Sequence, residues 1–231
     1  MIEVNNLTKA YQDVTVLNIP ELIIPKGESF GLVGNNGAGK TTFFRLVLDL
    51  IRPNSGEVIS NGSDVSRSSE WKHYTGSFLD EGFLIDFLTP EEYFEFLADI
   101  NDLTRGDLEE FYQGFEEFFN GEVLGKEKYI RDLSSGNQQK VGVAGAMIAK
   151  PDVLVLDEPF NSLDPSTQIR LIKLLNQLRN EMKVTMLISS HDLNNVTEVC
   201  ERIVILEKGN IVHDLKTSDD TLKELESYFS V

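Results

Sequence analysis

The sequence predicts an α/β fold, and three patterns carry that expectation. β-rich runs alternate with helical patterns along most of the 231 residues. The run "VLVL" at 153–156 is apolar on both faces, as expected of a strand inside a covered parallel sheet. From Thr89 to about Ile130 the strand pattern stops, so a helical insert interrupts the core between about 80 and 135.

In chain order, β-rich runs lie at 2–4, 14–17, 22–24, 29–33, 57–60 and 75–79. A glycine-rich loop after the fourth run opens an apolar helix, Phe43–Leu50. In "TPEEYFEFLADI" Thr89 is a helix N-cap, Pro90 takes the first helical position and Glu92 completes a capping box. "LTRGDLEEFYQGFEEFF" reads as a second helix, Phe-rich on one face. Further β-rich runs fall at 153–156, 184–189, 203–206 and 210–213, and "LEKGNIVHD" reads as a hairpin turning at Lys208–Asn210. "SDDTLKELESYFSV" reads as a short amphipathic helix. The chain divides into one domain with an α/β core at 1–79 and 136–214, a helical subdomain at 80–135 and a C-terminal helix at 215–231.

Composition narrows the function. Hydrophobic residues make up 41% of the chain, as in an ordinary globular protein. The formal charge of −17 repels nucleic acid and anionic headgroups, and no Lys/Arg run offsets it. No apolar stretch approaches the ~18 residues of a membrane span. The expected partners therefore exclude nucleic acid and direct lipid insertion, and any hold on a membrane comes through another protein. The N-terminus shows no secretory pattern. Cys200 is the sole cysteine, so no internal disulfide forms, and helix packing is its expected role. The acidic pairs Glu91–Glu92, Glu109–Glu110 and Glu116–Glu117 read as solvated helix faces.

Two stretches are built for phosphate. Gly34-Asn35-Asn36-Gly37-Ala38-Gly39-Lys40-Thr41 matches G-x-x-x-x-G-K-[ST] between an apolar strand and an apolar helix, and Thr42 follows. Side-chain-free positions let consecutive N–H groups point into one concavity. Lys40 supplies a point charge for β/γ oxygens and Thr41 a hydroxyl for Mg²⁺. The second stretch is "DLSSGNQQK" at 132–140: Ser134 and Ser135 can cap a helix, Gly136 admits close approach, and no acid follows until Asp152. "DVLVLDEP" ends a strand in two acids. Asp157 suits Mg²⁺, and Glu158 suits the polarising of an attacking water.

These residues, in this order, resemble an ATP-binding cassette ATPase, the nucleotide-binding subunit of ABC transporters, over about residues 2–214. "DLSSGNQQK" stands where that family has its L-S-G-G-Q signature, "NSLD" (161–164) where it has the D-loop, and "ISSHD" (188–192) where it has the switch histidine, here His191. Tyr11 stands where the family stacks an aromatic ring on adenine. The resemblance implies a P-loop NTPase core with a mixed, mostly parallel sheet, an antiparallel β subdomain and an inserted α-helical subdomain. It also implies two cassettes packed head to tail, identical or paralogous. Each ATP would lie between the P-loop of one chain and Ser134, Ser135, Gly136 and Asn137 of the other, and hydrolysis would loosen the pair. Lys40, Glu158 and His191 would be the catalytic groups.

Three departures stand out. Glu81 (or Asp80) occupies the position of a glutamine that contacts Mg²⁺ and the transport partner. Ser135 replaces the first glycine of the signature, and Asn137 replaces its glutamine. Gln138 and Gln139 are expected to orient the signature helix, and Asp164 to shape the subunit interface. Trp71, His73 and His213 carry no motif. The reading is an ATP-hydrolysing subunit, peripheral on the cytoplasmic face of a membrane, that drives export through a separate integral membrane permease. The alternative is a non-transport cassette acting on another macromolecule.

Overall fold

The computed structural model describes residues 1–229, so the last two positions of the expected C-terminal helix, 230 and 231, lie outside the described residues. Two sheets share the chain. The first is antiparallel, with β1 (Ile2–Tyr11), β2 (Val14–Ile24), β4 (Ser55–Ser60) and β5 (Ser63–Asp64) in the order β2-β1-β4-β5. The second contains β3 (Ser29–Val33), β6 (Thr75–Phe78), β7 (Val153–Leu156), β8 (Thr185–Ser190), β9 (Arg202–Glu207) and β10 (Asn210–Lys216) in the order β10-β9-β3-β8-β7-β6. All neighbours in it pair parallel except β10 with β9. The hairpin joining those two turns at Lys208 and Gly209, both at positive φ, which matches the right-handed twist of the strands.

Alternation across the parallel sheet assigns each face to a layer. Val153, Val155, Leu187 and Val204 join Phe43 and Phe44 of α1 (Lys40–Val47), which lies between the two sheets. Leu154, Leu156, Met186 and Ile188 face the opposite layer. There they meet α5 (Ser135–Gly145), α6 (Pro165–Gln177) and α7 (Leu193–Val199). Both faces being dry explains the near-continuous apolar runs.

The insert holds α2 (Pro90–Ile100), α3 (Arg105–Gly114) and α4 (Glu116–Phe119). The helix expected as one piece over "LTRGDLEEFYQGFEEFF" is two, broken at Phe115 after Gly114. The break turns Phe111, Phe115, Phe118 and Phe119 onto one cluster around Phe94, with Phe94–Phe111 at 5.0 Å and Phe111–Phe115 at 4.7 Å. Offset and edge-on ring pairs add to the area they bury. Thr89 caps α2 in a reciprocal box with Glu92, as the sequence predicts. Trp71 is buried and donates Nε1–H to Val65 O. Cys200 is buried at the end of α7. The chain closes with α8 (Thr221–Phe229), and no described helix is long and apolar enough to cross a membrane.

Candidate functional site

The loop between β3 and α1 sits at the carboxyl end of the parallel sheet, beside β8 and β9. Its glycines are required by space and by backbone. A Cβ on Gly34 would come within 2.3 Å of Leu206 O. One on Gly39 would meet Val16 O at 2.9 Å, and Gly39 has φ +110, a region costly for any other residue. Gly37 is also left-handed. Asn35, Asn36 and Gly37 are exposed and Ala38 is buried. Gly39 is the N-cap of α1 and has no side chain to offer, and no acid lies in the first turn. The free N–H groups and the helix dipole therefore point at an anion.

Lys40 is buried, and its ammonium donates to Gly34 O at 2.7 Å and lies 3.3 Å from Glu158 Oε1. Thr41 donates to Asp157 Oδ2, and Ser189 to Asp157 Oδ1. Burial pushes the Asp157 carboxyl above its ordinary range, against the pull of those two hydroxyls. Glu158 follows at φ 50, the left-handed region, which costs a non-glycine residue about 1–2 kcal/mol. Its Oε2 accepts the His191 backbone N–H at 3.1 Å and lies 2.8 Å from His191 Nδ1. Thus Lys40, Thr41, Asp157, Glu158 and His191 converge from α1 and from the ends of β7 and β8. Thr42 is half-buried on α1.

Hard oxygens from a carboxylate and a hydroxyl are the donor set Mg²⁺ takes, so Asp157 and Thr41 fit that ion. Glu81 stands in a short turn after β6, half-buried, with Asp80 capping it through Gly82 N–H. Among the described residues no hydrogen bond or ion pair joins Glu81 to Asp157 or Thr41. Tyr11 ends β1, half-exposed, with the Lys9 ammonium 5.0 Å over its ring. It belongs to the same β1–β2 hairpin whose Val16 lies against Gly39.

The second phosphate-type stretch stands apart from this group. Ser134 is the N-cap of α5 and accepts the Asn137 N–H at 3.3 Å; Ser135 is exposed in the first turn, and again no acid follows. A Cβ on Gly136 would come within 2.7 Å of Ser162 O, so the first turn packs on the loop after β7. Asn137 Nδ2 donates to Glu122 O, and the Lys140 ammonium, 2% exposed, pairs with Glu122 at 2.6 Å. Gln138 Nε2 donates to Leu133 O at 3.2 Å. Asp164 accepts from Ser166 and Thr167, which holds its carboxyl well below the ordinary range. Sequence reasoning missed Ser189, which is fully buried, donates to Asp157 and accepts the Glu158 N–H at 2.9 Å. Its one signal was a hydroxyl inside the apolar run "TMLISS".

A glycine-rich phosphate loop opening a helix, with two acids at the end of a strand two places away in the sheet, defines a P-loop nucleotide-binding fold. The comparisons assign the family. Residues 17–161 match the family model described as "ABC transporter". The bacitracin transport ATP-binding protein BcrA of Enterococcus faecalis is 34% identical over 224 residues, covering 95% of this chain and 70% of that protein. A methionine import ATP-binding protein, MetN of Carboxydothermus hydrogenoformans, is 32% identical, covering 95% and 67%. A solved ATP-binding subunit of an ABC transporter superposes with TM-score 0.85 at 26% identity, covering 98% of this chain and 93% of that one. The cassette MJ0796, solved as a dimer in a post-hydrolysis state with ADP and Pi, shares the fold at TM-score 0.84 and 24% identity. The chain belongs to the ABC transporter family and is an ABC-type ATPase subunit.

Proposed function

We propose that this chain pairs head to tail with a second cassette and drives a substrate across a membrane through a separate integral membrane permease, from a peripheral position on the cytoplasmic face. The observation that carries the reading is the convergence of Lys40, Asp157, Glu158 and His191 on the phosphate loop. In this assembly each ATP lies between the loop Gly34–Thr42 of one chain and Ser134, Ser135, Gly136 and Asn137 of the other, with adenine against Tyr11. The core comprises 1–79 and 136–214, the helical subdomain 80–135 and the C-terminal helix 215–231.

ATP binding exchanges the Lys40 contacts with Gly34 O and Glu158 for β- and γ-phosphate oxygens. Glu158 then accepts a proton from water as its oxygen attacks the γ-phosphorus. The bond to the β–γ bridging oxygen breaks, and ADP leaves with the electron pair. His191 holds Glu158 through Oε2 and contacts the γ-phosphate. Thr41 and Asp157, with Glu81 as a further donor, would hold magnesium, which would supply charge neutralisation at the phosphate oxygens. Departure of the γ-phosphate removes the anion that joins the two chains, and the pair loosens.

We propose export as the direction; the similar proteins include a bacitracin transport protein and, to nearly the same degree, methionine import proteins. Replacing Glu158→Gln should cut turnover by about 10²–10⁴-fold while ATP binding persists, trapping a dimer visible by light scattering. Near-normal turnover would overturn the role of Glu158. Co-purification with an integral membrane protein tests the transport reading, and co-purification with a soluble macromolecular complex instead would replace it with the non-transport alternative.

A further inference from the structure

Glu158 is held in an unfavourable backbone conformation, φ 50, in a loop rather than in a regular element. Such a conformation persists only where the surroundings over-determine it, and both ends of this residue have partners. Its N–H donates to Ser189 Oγ at 2.9 Å, from β8. Its carbonyl accepts two donors: the Asn161 N–H at 3.1 Å, from the same loop, and the Gln139 side-chain amide at 3.1 Å, from α5.

The Gln139 contact differs from the others in what it joins. Gln139 is only 4% exposed, so its amide has no ready exchange with water. It lies one helical turn behind Ser135, the residue that opens α5. The turn before it packs on Ser162 O and is tied to the insert through Asn137 Nδ2 and Glu122 O. The turns after it, from Val141 to Gly145, are buried in the core. Gln139 therefore stands where the helix passes from the insert into the core, with its amide on the peptide of the base.

We propose that Gln139 is a positioning residue for Glu158: by donating to the Glu158 carbonyl it fixes the left-handed peptide that aims the carboxylate, and it does so from the helix that opens at the second phosphate-type stretch. The proposal rests on the reading of Glu158 as the base. The donor hydrogen is what matters, since an apolar side chain of the same length fills the same space without it. Asn161 N–H still occupies the carbonyl when Gln139 changes, so the loop remains closed and the defect is one of aim.

The test uses Gln139→Met, which keeps length and volume but removes the donor, and Gln139→Glu, which keeps shape but puts acceptors against a carbonyl. Steady-state ATP hydrolysis, ATP affinity and thermal melting are measured beside wild type. In Gln139→Met kcat should fall about fivefold to tenfold with KM and ATP affinity unchanged, and the melting temperature should drop by no more than the few degrees one buried hydrogen bond is worth. Gln139→Glu should be impaired at least as much. Wild-type kcat in Gln139→Met overturns the proposal. So does a fall in kcat that comes with parallel losses of ATP affinity and melting temperature, which is the mark of a structural role. The reading of the site fails separately: a Glu158→Gln variant with near-normal turnover sinks it, whereas unaffected Gln139 variants with an inactive Glu158→Gln sink only this proposal.

Discussion

Among the described residues two helix starts carry no acid at the cap or in the first turn, and they solve the problem of orphan N–H groups in opposite ways. At α1 the N-cap is Gly39, which has nothing to cap with, and the next residue is the buried Lys40. At α5 the N-cap is Ser134, whose hydroxyl already takes the Asn137 N–H, and Ser134 and Ser135 are exposed. The first start leaves its donors unmet inside the molecule, beside the Asp157–Glu158 carboxylates, and so depends on a ligand. The second meets part of its own need and faces outward, so it folds without a ligand, and in the proposed pair the nucleotide of the facing chain would complete it. The helices α2 and α3 show the ordinary case: Glu92 and Asp107 complete capping boxes there, and a carboxylate at that position repels phosphate.

The largest expected effect falls on the uncapped start. Lys40→Ala removes its one fixed cation, and ATP affinity should drop about 10–100-fold by calorimetry, the worth of a charge-assisted contact. Unchanged affinity would mean that the backbone N–H groups alone hold the triphosphate, and the contrast with α5 would lose its main term.

Legibility in the sequence divides along the same line. The phosphate loop was readable because eight consecutive residues carry it and the glycine requirement is local. The convergence of His191 and Glu158 was readable only through the family pattern, because it arises from β7 and β8 lying side by side, 33 positions apart. Ser189 escaped because its partner, Asp157, is set by that same adjacency, and a serine in an apolar strand carries no period of its own. β1 and β2 run longer than their apolar fragments suggest: Asn5, Asn6, Thr8 and Lys9 interrupt the pattern, yet cross-strand pairing carries them, with an irregularity at Asn6, which lies against Gly56. The break at Phe115 was hidden because four Phe side chains needed one cluster, a tertiary demand.

A middle-sized effect concerns Asp157. Its carboxyl is pushed above the ordinary range by burial, so the folded chain holds that proton more tightly than the unfolded chain does. The sign follows: this group favours the fold most at low pH, and that contribution is lost as pH rises from the ordinary carboxylate value through the raised one. At neutral pH the charged form is a cost. Asp157→Asn, which keeps an oxygen acceptor for one of the two hydroxyls and needs the other to accept from its amide, should raise the melting temperature of the nucleotide-free chain by about 2–4 °C while abolishing hydrolysis. A lower melting temperature would show that the two hydroxyl contacts outweigh burial.

The smallest effect tests the capped start. Ser135 is exposed, and among the described residues its hydroxyl makes no hydrogen bond, whereas Ser134 already supplies the cap. Ser135→Gly therefore removes a Cβ and a hydroxyl from the face offered to the partner without opening the cap. Glycine at the first helical position has a modest entropic cost, at most about 1 kcal/mol. Closer approach of phosphate to the N–H groups offsets it. ATP-driven dimerisation of the Glu158→Gln background, followed by light scattering, should stay level or strengthen slightly. A clear fall would mean that the serine hydroxyl is itself a phosphate ligand, and α5 would then resemble α1 in needing a bound anion to complete it.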